Sequence, residues 1–239
     1  MLLCLDAGNT RLKYGLHDGA TWCIQGALDY VAIDQMKGSL PQPPQRIVAC
    51  NVAGAQVAAG IEDLARRLGA PLAWLSSSSE ACGVTSGYDN PAQLGSDRWA
   101  ALIGARGLQH DTCVVVMAGT ATTIDLLDAE GAFRGGLILP GLAMMRAELA
   151  RDTAGLPEAR GRYAGLATNT DDAIVSGALH ATLGAIARVR VQAGREATCL
   201  LSGGAAAELA THLEAPMRRV DNLVLEGLAR YARRAGDAQ

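Results

Sequence analysis

The chain has no long apolar run, no basic run, no close pair of cysteines and no histidine cluster, and each absence closes off a class of function. Without a stretch of about 18 apolar residues, a membrane-spanning helix is not expected. The apolar start, Met1 to Leu5, is one strand long and meets Asp6 at once with no basic residue ahead of it, so it does not read as a signal peptide. Net charge is −3, and basic residues gather only in short pairs, Arg66-Arg67 and Arg233-Arg234, which read as solvated helix faces. Neither nucleic acid nor a membrane surface is indicated as a partner. The six cysteines are dispersed; Cys4, Cys50, Cys113 and Cys199 lie in or beside apolar strand-like runs, where buried thiols are common. That distribution suits a reducing cytoplasm and offers neither a disulfide framework nor a zinc site. His17, His110, His180 and His212 are scattered, and no Ser-His-Asp arrangement has local support.

What is present is the material of a globular α/β protein. With 239 residues, 49% hydrophobic and 19% charged, the chain is long enough for one large domain or two of about 100 residues. Strand-like runs at 2–5 and 12–16 flank a tight loop. A strand over 46–49 precedes a helix over 55–68 that should stop at Gly69. A short strand over 71–75 leads into a long loop, and a helix over 96–108, capped by Gly95 or Ser96, closes the first half. The second half begins again with strands over 113–116 and 124–127. A third strand ends near Leu139, where Pro140 should open a helix at its first position. A long helix over 171–191, a strand over 198–201, a helix over 204–213 and a closing helix over 222–233, capped by Asp221 or Asn222, complete the chain. Residues 2–9 superimpose on 113–120 at a constant offset, with Asp6 over Met117, which reads as a duplication. Two contiguous lobes are expected, residues 1–110 and 111–239, with a cleft between them.

Three turns carry candidate chemistry. Asp6-Ala7-Gly8-Asn9-Thr10, with Lys13 beyond, joins two strands. Gly8 lets backbone approach a phosphate, Asn9, Thr10 and Lys13 offer donors and charge, and Asp6 at a strand end suits Mg²⁺. The same residues also make an ordinary hairpin turn. Gly119-Thr120-Ala121-Thr122-Thr123 is a hydroxyl-rich counterpart, although threonine is equally a strand former. Ser202-Gly203-Gly204 follows a strand and opens a helix, so that Gly203 and Gly204 leave space for a base or ribose, or simply allow a tight turn. Met144-Met145 suits a core or a subunit interface better than chemistry.

The order of these turns resembles the two phosphate motifs and the adenosine motif of the actin-like ATPase superfamily. A closer resemblance, covering essentially the whole chain, is to the type III pantothenate kinases. It is carried by residues 6–10, 119–123, 135–141, Asn169-Thr170, and above all Tyr88-Asp89-Asn90-Pro91-Ala92-Gln93-Leu94-Gly95-Ser96-Asp97-Arg98. The resemblance implies two ribonuclease H-like domains with mixed sheets flanked by helices and an active-site cleft between them. It implies ATP-dependent phosphorylation of pantothenate, the first step towards coenzyme A, by a cytoplasmic homodimer using Mg²⁺ and a monovalent cation, K⁺ or NH₄⁺. Asp97 is then the general base and Arg98 its neighbour in the acceptor site. Tyr88, Gly95, Ser96 and Thr170 are pantothenate contacts, with Thr170 supplied by a partner subunit. An Asp-Arg pair in the first turn of a helix is also a common surface feature, since acidic residues are favoured there. The sequence departs from the family at Met117, where an aspartate usually opens the second phosphate loop and helps hold the monovalent cation. A thioether is a poor ligand for a hard cation, so this position weakens the usual site; Asp125 is the nearest substitute in sequence. That departure keeps open a second reading, a nucleotide-binding regulator that has lost catalysis.

Overall fold

The computed structural model describes residues 1–156 and 158–236, and the chain divides into two compact units. The first gathers Met1–His110 with Gly131–Phe133 and the segment that begins at Asn222; the second holds Asp111–Glu130 and Arg134–Asp221. Sequence alone led to one division, between residues 110 and 111. The structure adds a return of the closing helix to the first unit, for a packing reason given below.

In the first unit, β1 (Leu2–Ala7), β2 (Leu12–His17), β3 (Trp22–Leu28), β4 (Arg46–Asn51) and β5 (Leu72–Trp74) form a sheet in the order β3-β2-β1-β4-β5. β1 runs antiparallel to β2 and parallel to β4, so it is the central strand, and every residue from Leu3 to Ala7 is buried. A strand covered on both faces needs a continuous apolar run, and Asp6 interrupts this one. Between β3 and β4 lie a 3₁₀ turn, Tyr30–Gln35, and α1 (Met36–Ser39), neither of which the sequence announced. α2 (Ala55–Leu68) ends where expected, at Gly69, whose left-handed backbone donates back to the Ala65 and Arg66 carbonyls. A small hairpin of β6 (Glu80–Ala81) and β7 (Val84–Ser86) follows. After it comes a 3₁₀ turn, Pro91–Gln93, capped by the Asn90 side chain. α3 (Ser96–Leu108) then starts after Gly95.

The second unit repeats the plan. β8 (Cys113–Ala118), β9 (Ala121–Leu127) and β10 (Ala132–Pro140) are followed by α4 (Leu142–Asp152), α5 (Thr170–Ala193), β11 (Thr198–Ser202), α6 (Ala206–Ala210) and β12 (Met217–Arg219). The order is β12-β11-β8-β9-β10, with β8 antiparallel to β9 and parallel to β11. Strand for strand this is the arrangement around β1. Ala132 and Phe133 of β10 belong to the first unit, where they pair with Thr85 and Ser86 of β7. Pro140 does not open a helix. It is the last residue of β10, where a missing N–H costs little, and α4 begins after Gly141 instead. α6 is also shorter than expected, because Gly203 and Gly204 are spent on the turn out of β11. α5 is long and apolar enough to cross a membrane by length and composition. Yet its Ile174, Val175, Ala178, Leu179, Ile186 and Val189 side chains are buried with Val114, Val116 and Leu201 of the sheet. All six cysteines are free thiols, and Cys4, Cys50, Cys113 and Cys199 are buried, as the apolar runs around them implied.

α7 (Leu223–Gly236) packs on α3 through glycine. A methyl group on Gly227 would lie 1.8 Å from the Ala100 carbonyl oxygen, and one on Gly104 would lie 2.4 Å from the Leu223 carbonyl oxygen. Both obstacles are helix backbone, which cannot swing aside as a side chain would. This two-sided glycine contact explains why the last helix belongs with α3. Gly227→Ala is expected to lower stability by about 1–3 kcal/mol, the usual cost of overpacking, measured as a drop in the thermal unfolding midpoint; an unchanged midpoint would contradict the backbone contact.

Candidate active site

Asp6 sits at the end of β1, 4% exposed, directly opposite Lys13 of β2. The Lys13 ammonium stands 3.8 Å from Asp6 Oδ2, close enough for charge attraction but too far for a hydrogen bond. The Cys50 thiol, on the adjacent parallel strand β4, donates to Asp6 Oδ1 across 3.6 Å. Burial pushes the Asp6 carboxyl up to about 6, against the pull of Lys13 and with a further push from the charge of Asp97. Asp6 and Asp97 therefore feel each other, although β1 and α3 bring them from distant parts of the chain. Burial and the neighbouring Asp6 charge also raise Cys50 well above the ordinary thiol range, so it remains a neutral donor.

The turn from β1 to β2 exposes Asn9, Thr10 and Arg11, with Gly8 half-buried beneath them. Its Gly8 carbonyl accepts from the Tyr30 hydroxyl. Sequence reasoning missed Tyr30, since nothing in the run Asp29-Tyr30-Val31 marks it, and it also passed over the polar role of Cys50.

Asp97 and Arg98 occupy the first turn of α3. Asp97 Oδ1 accepts from the Arg98 backbone N–H at 2.8 Å, which fixes the carboxylate's rotation. A Cβ on Gly95 would lie 2.6 Å from that same oxygen, so the residue before the helix has to be small. Ser96 turns away, donating to the Asn51 carbonyl. Arg98 is only 5% exposed. Its guanidinium donates to the Tyr88 hydroxyl at 2.8 Å and lies 5.6 and 5.7 Å from the ring centres of Tyr88 and Phe133. Phe133, the only phenylalanine in the chain, completes this aromatic seat and was not foreseen. Asp6, Cys50, Tyr88, Asp97, Arg98 and Phe133 all belong to the first unit.

The other expected residues lie in the second unit. Gly119 and Thr120 form the exposed turn between β8 and β9. Thr122 is fully buried, because it shares the face of β9 that packs in the core with Ile124. Thr123 is paired across the strands with Met117. Asp125 is completely buried, with Oδ1 lying where a Cβ on Gly136 would come within 2.0 Å, so its carboxylate is enclosed against β10. At Gly203 the backbone is left-handed (φ +103°) and a Cβ would lie 2.4 Å from the Ala118 carbonyl oxygen, whereas Gly204 faces open space. Thr170 is exposed as the first residue of α5, just after the Asn169 cap.

The donor set of the first unit suits Mg²⁺. Among the described residues no three His, Cys, Asp or Glu side chains converge as a metal cage, but Mg²⁺ in phosphate chemistry commonly takes one or two carboxylates and completes its shell with phosphate and water. Asp6, driven upward by burial and by Asp97, is an under-neutralised carboxylate of that kind. At the equivalent position of the second unit, Met117 offers only sulfur.

The raised Asp6 value has a direct consequence for stability. Between the unfolded value of 3.8 and about 6 the folded protein holds the extra proton, so stability falls as pH rises through that window. Asp6→Asn is expected to unfold at a higher temperature than the parent at pH 7, by up to about 3 kcal/mol in stability, with the gap closing below pH 4. Thermal melts of the metal-free protein across this range check it; a gap independent of pH would rule out the buried charge as its cause.

Comparison with known proteins adds an independent line. The family model for type III pantothenate kinase matches residues 2–192. A type III pantothenate kinase of Aromatoleum aromaticum is 52% identical over 237 residues, spanning 98% of this chain and 98% of that protein. Among solved structures, a Campylobacter jejuni protein assigned to the Baf family of transcriptional activators superimposes with a TM-score of 0.68 at 21% identity, covering 98% of this chain and 99% of that one. The activator of 2-hydroxyisocaproyl-CoA dehydratase from Clostridium difficile, solved with bound ADPNP, superimposes with a TM-score of 0.56 at 12% identity, covering 99% and 94%. At such identities the likeness concerns fold alone: two mixed sheets flanked by helices, of the actin-like ATPase type.

Proposed function

The chain belongs to the type III pantothenate kinase family, and on that premise we propose that it transfers the γ-phosphoryl group of ATP to the primary hydroxyl of pantothenate in the cytoplasm. The pantothenate oxygen forms the new bond to phosphorus, the bond to the β–γ bridging oxygen breaks, ADP leaves, and the hydroxyl proton passes to Asp97. The observation that carries this reading is the first turn of α3, where Asp97 is locked by the Arg98 amide and is electrostatically coupled to Asp6. Phosphoryl transfer asks the protein mainly to position the alcohol, accept its proton and neutralise charge. Asp97 orients the hydroxyl and takes the proton. Arg98, held rigid between Tyr88 and Phe133, meets the pantothenate carboxylate with its planar fork. Tyr88, Gly95 and Ser96 shape the acceptor subsite. Gly8, Asn9, Thr10 and Lys13 receive phosphate oxygens, and Asp6 holds Mg²⁺, which when bound offsets phosphate charge. In the second unit, Gly119, Thr120 and Thr122 serve phosphate, and Gly203 and Gly204 the base and ribose. Enclosure of Thr122 in the core makes Thr120 the stronger of the two threonine ligands.

The assembly in this reading is a homodimer, with Thr170 reaching the acceptor subsite from the partner subunit. What supports it is the apolar surface of the second unit, where β10 exposes Leu137 (43%) and Ile138 (64%) and α4 exposes Met144 (37%) and Leu149 (40%). Exposed apolar side chains gain when a partner covers them. Ile138→Asp is expected to shift the protein from dimer to monomer in sedimentation analysis and to remove pantothenate turnover; a variant that stays dimeric contradicts this interface.

Turnover itself is tested by ADP release with Mg-ATP and pantothenate, with and without K⁺ or NH₄⁺, beside Asp97→Asn. Loss of the general base is expected to lower kcat about 10²- to 10⁴-fold, with ATP affinity retained. Met117 makes the expected stimulation by K⁺ weak or absent, and strong stimulation would locate the cation elsewhere. If ATP binds and pantothenate elicits no turnover under any cation, the alternative of a nucleotide-binding regulator, to which Met117 lends support, replaces the kinase.

A further inference from the structure

The turn between β1 and β2 is short and open to solvent at Asn9, Thr10 and Arg11, and an open turn has several ways to orient its peptide groups. One of those groups is held from outside. The Tyr30 hydroxyl donates to the Gly8 carbonyl oxygen from 22 residues further along the chain. Its ring packs against the apolar core of the first unit. The turn that carries it is fastened in its own right. Met36 is fully buried, Asp34 pairs with Arg67 of α2, and Lys37 donates to the Arg67 carbonyl at 3.3 Å. Tyr30 is thus a fixed post, not a surface phenol that happens to meet a loop. Burial, with the nearby charge of Asp6, pushes its hydroxyl up to about 12, so it stays a donor across the working range of an enzyme.

A trans peptide is planar, with its C=O and N–H pointing in opposite directions. Holding the Gly8 carbonyl towards Tyr30 therefore turns the Asn9 N–H away from the core, to the exposed side of the turn. We propose that Tyr30 is a positioning residue for nucleotide phosphate: by fixing the Gly8–Asn9 peptide plane it presents the Asn9 amide as a preorganised donor to a phosphate oxygen. Without that hydrogen bond the plane is free to rotate, and the donor must be ordered at the expense of binding. This inference rests on the reading of residues 6–10 as a phosphate loop.

Tyr30→Phe keeps the ring and removes only the donor. The variant is expected to weaken Mg-ADP binding and raise the KM for ATP about five- to tenfold, as loss of one hydrogen bond allows. The KM for pantothenate should stay within about twofold, as expected when one hydrogen bond serving only the nucleotide is lost, and the unfolding midpoint should stay close to that of the parent. A purely structural role would lower the midpoint and leave nucleotide binding unchanged, or would weaken both substrates alike, and either result overturns the proposal. Lys13→Met, measured alongside, separates the two layers of inference. If it weakens Mg-ADP binding while Tyr30→Phe does not, the role given to Tyr30 is wrong and the phosphate loop stands. If neither variant changes Mg-ADP binding, the phosphate-loop reading has failed and the inference falls with it.

Discussion

A carboxylate buried at the end of a central strand is expensive, and much of the first unit can be understood as a response to that expense. Asp6 interrupts an otherwise apolar β1, and desolvation dominates its raised pKa. Each neighbour answers in its own way: Lys13 across the antiparallel pair with charge, Cys50 across the parallel pair with a neutral donor. Neither cancels the penalty, because the ion pair is long and a thiol is a weak donor. Asp97 adds a second negative charge nearby, which no stabilising design would place there. A pair of carboxylates left short of positive charge is the feature on which the proposed Mg²⁺ and phosphate site rests, and instability of this kind is common where a protein does chemistry.

Arg98 follows the opposite principle. Its charge is permanent and almost fully buried, yet it is well accommodated, hydrogen-bonded to Tyr88 and lying by two aromatic rings. Weak hydration and a flat surface let a guanidinium tolerate such a seat where an ammonium would not. The first turn of α3 therefore holds a poorly compensated negative charge and a well-seated positive one side by side. In the proposed mechanism Arg98 sets where an anionic acceptor docks, while the Asp97 carboxylate, held through one oxygen by the Arg98 amide, keeps the other for proton transfer.

Much of this was legible in the sequence, wherever local chemistry alone decides the outcome. The limits of α2 and α3 were readable because Gly69 stops one and Gly95 precedes the other. The duplication was readable because strand runs and an Ala-Gly turn recur in register, and the two sheets share one strand order. The sequence was silent where tertiary contacts decide. β3 is a half-buried edge strand with no clean alternation, the Tyr30–Gln35 turn is held by partners in α2, and β12 is three residues long. Pro140 misled because a strand end and a helix start both accept a residue without an N–H. At the site, the motif residues Asp6, Asp97 and Arg98 stood out in sequence. What their carboxylates feel, and that Tyr30, Cys50 and Phe133 surround them, depends on contacts between segments far apart in the chain. Thr122 shows the converse: composition marked its hydroxyl as a phosphate ligand but gave no sign that the pleat of β9 encloses it in the core.

Met117 is best understood against Asp6, because the two strands that carry them are built alike. β8 is buried as β1 is, and each strand ends at an Ala-Gly turn. Position 117 is half-buried where Asp6 is almost fully buried, so an aspartate there would be less desolvated, but it would add a second carboxylate near Asp125, which is completely buried two strand positions beyond Thr123, the residue paired with Met117. A thioether avoids that second charge with a flexible apolar chain, at the loss of a hard-cation ligand. In the proposed reading Met117 therefore weakens the monovalent-cation site, while leaving the carboxylates and arginine of the first unit untouched. In the proposed mechanism the proton acceptor Asp97 and the acceptor-site Arg98 both belong to that first unit, so a weakened cation site would bear on the rate of phosphoryl transfer more than on which alcohol receives the phosphate.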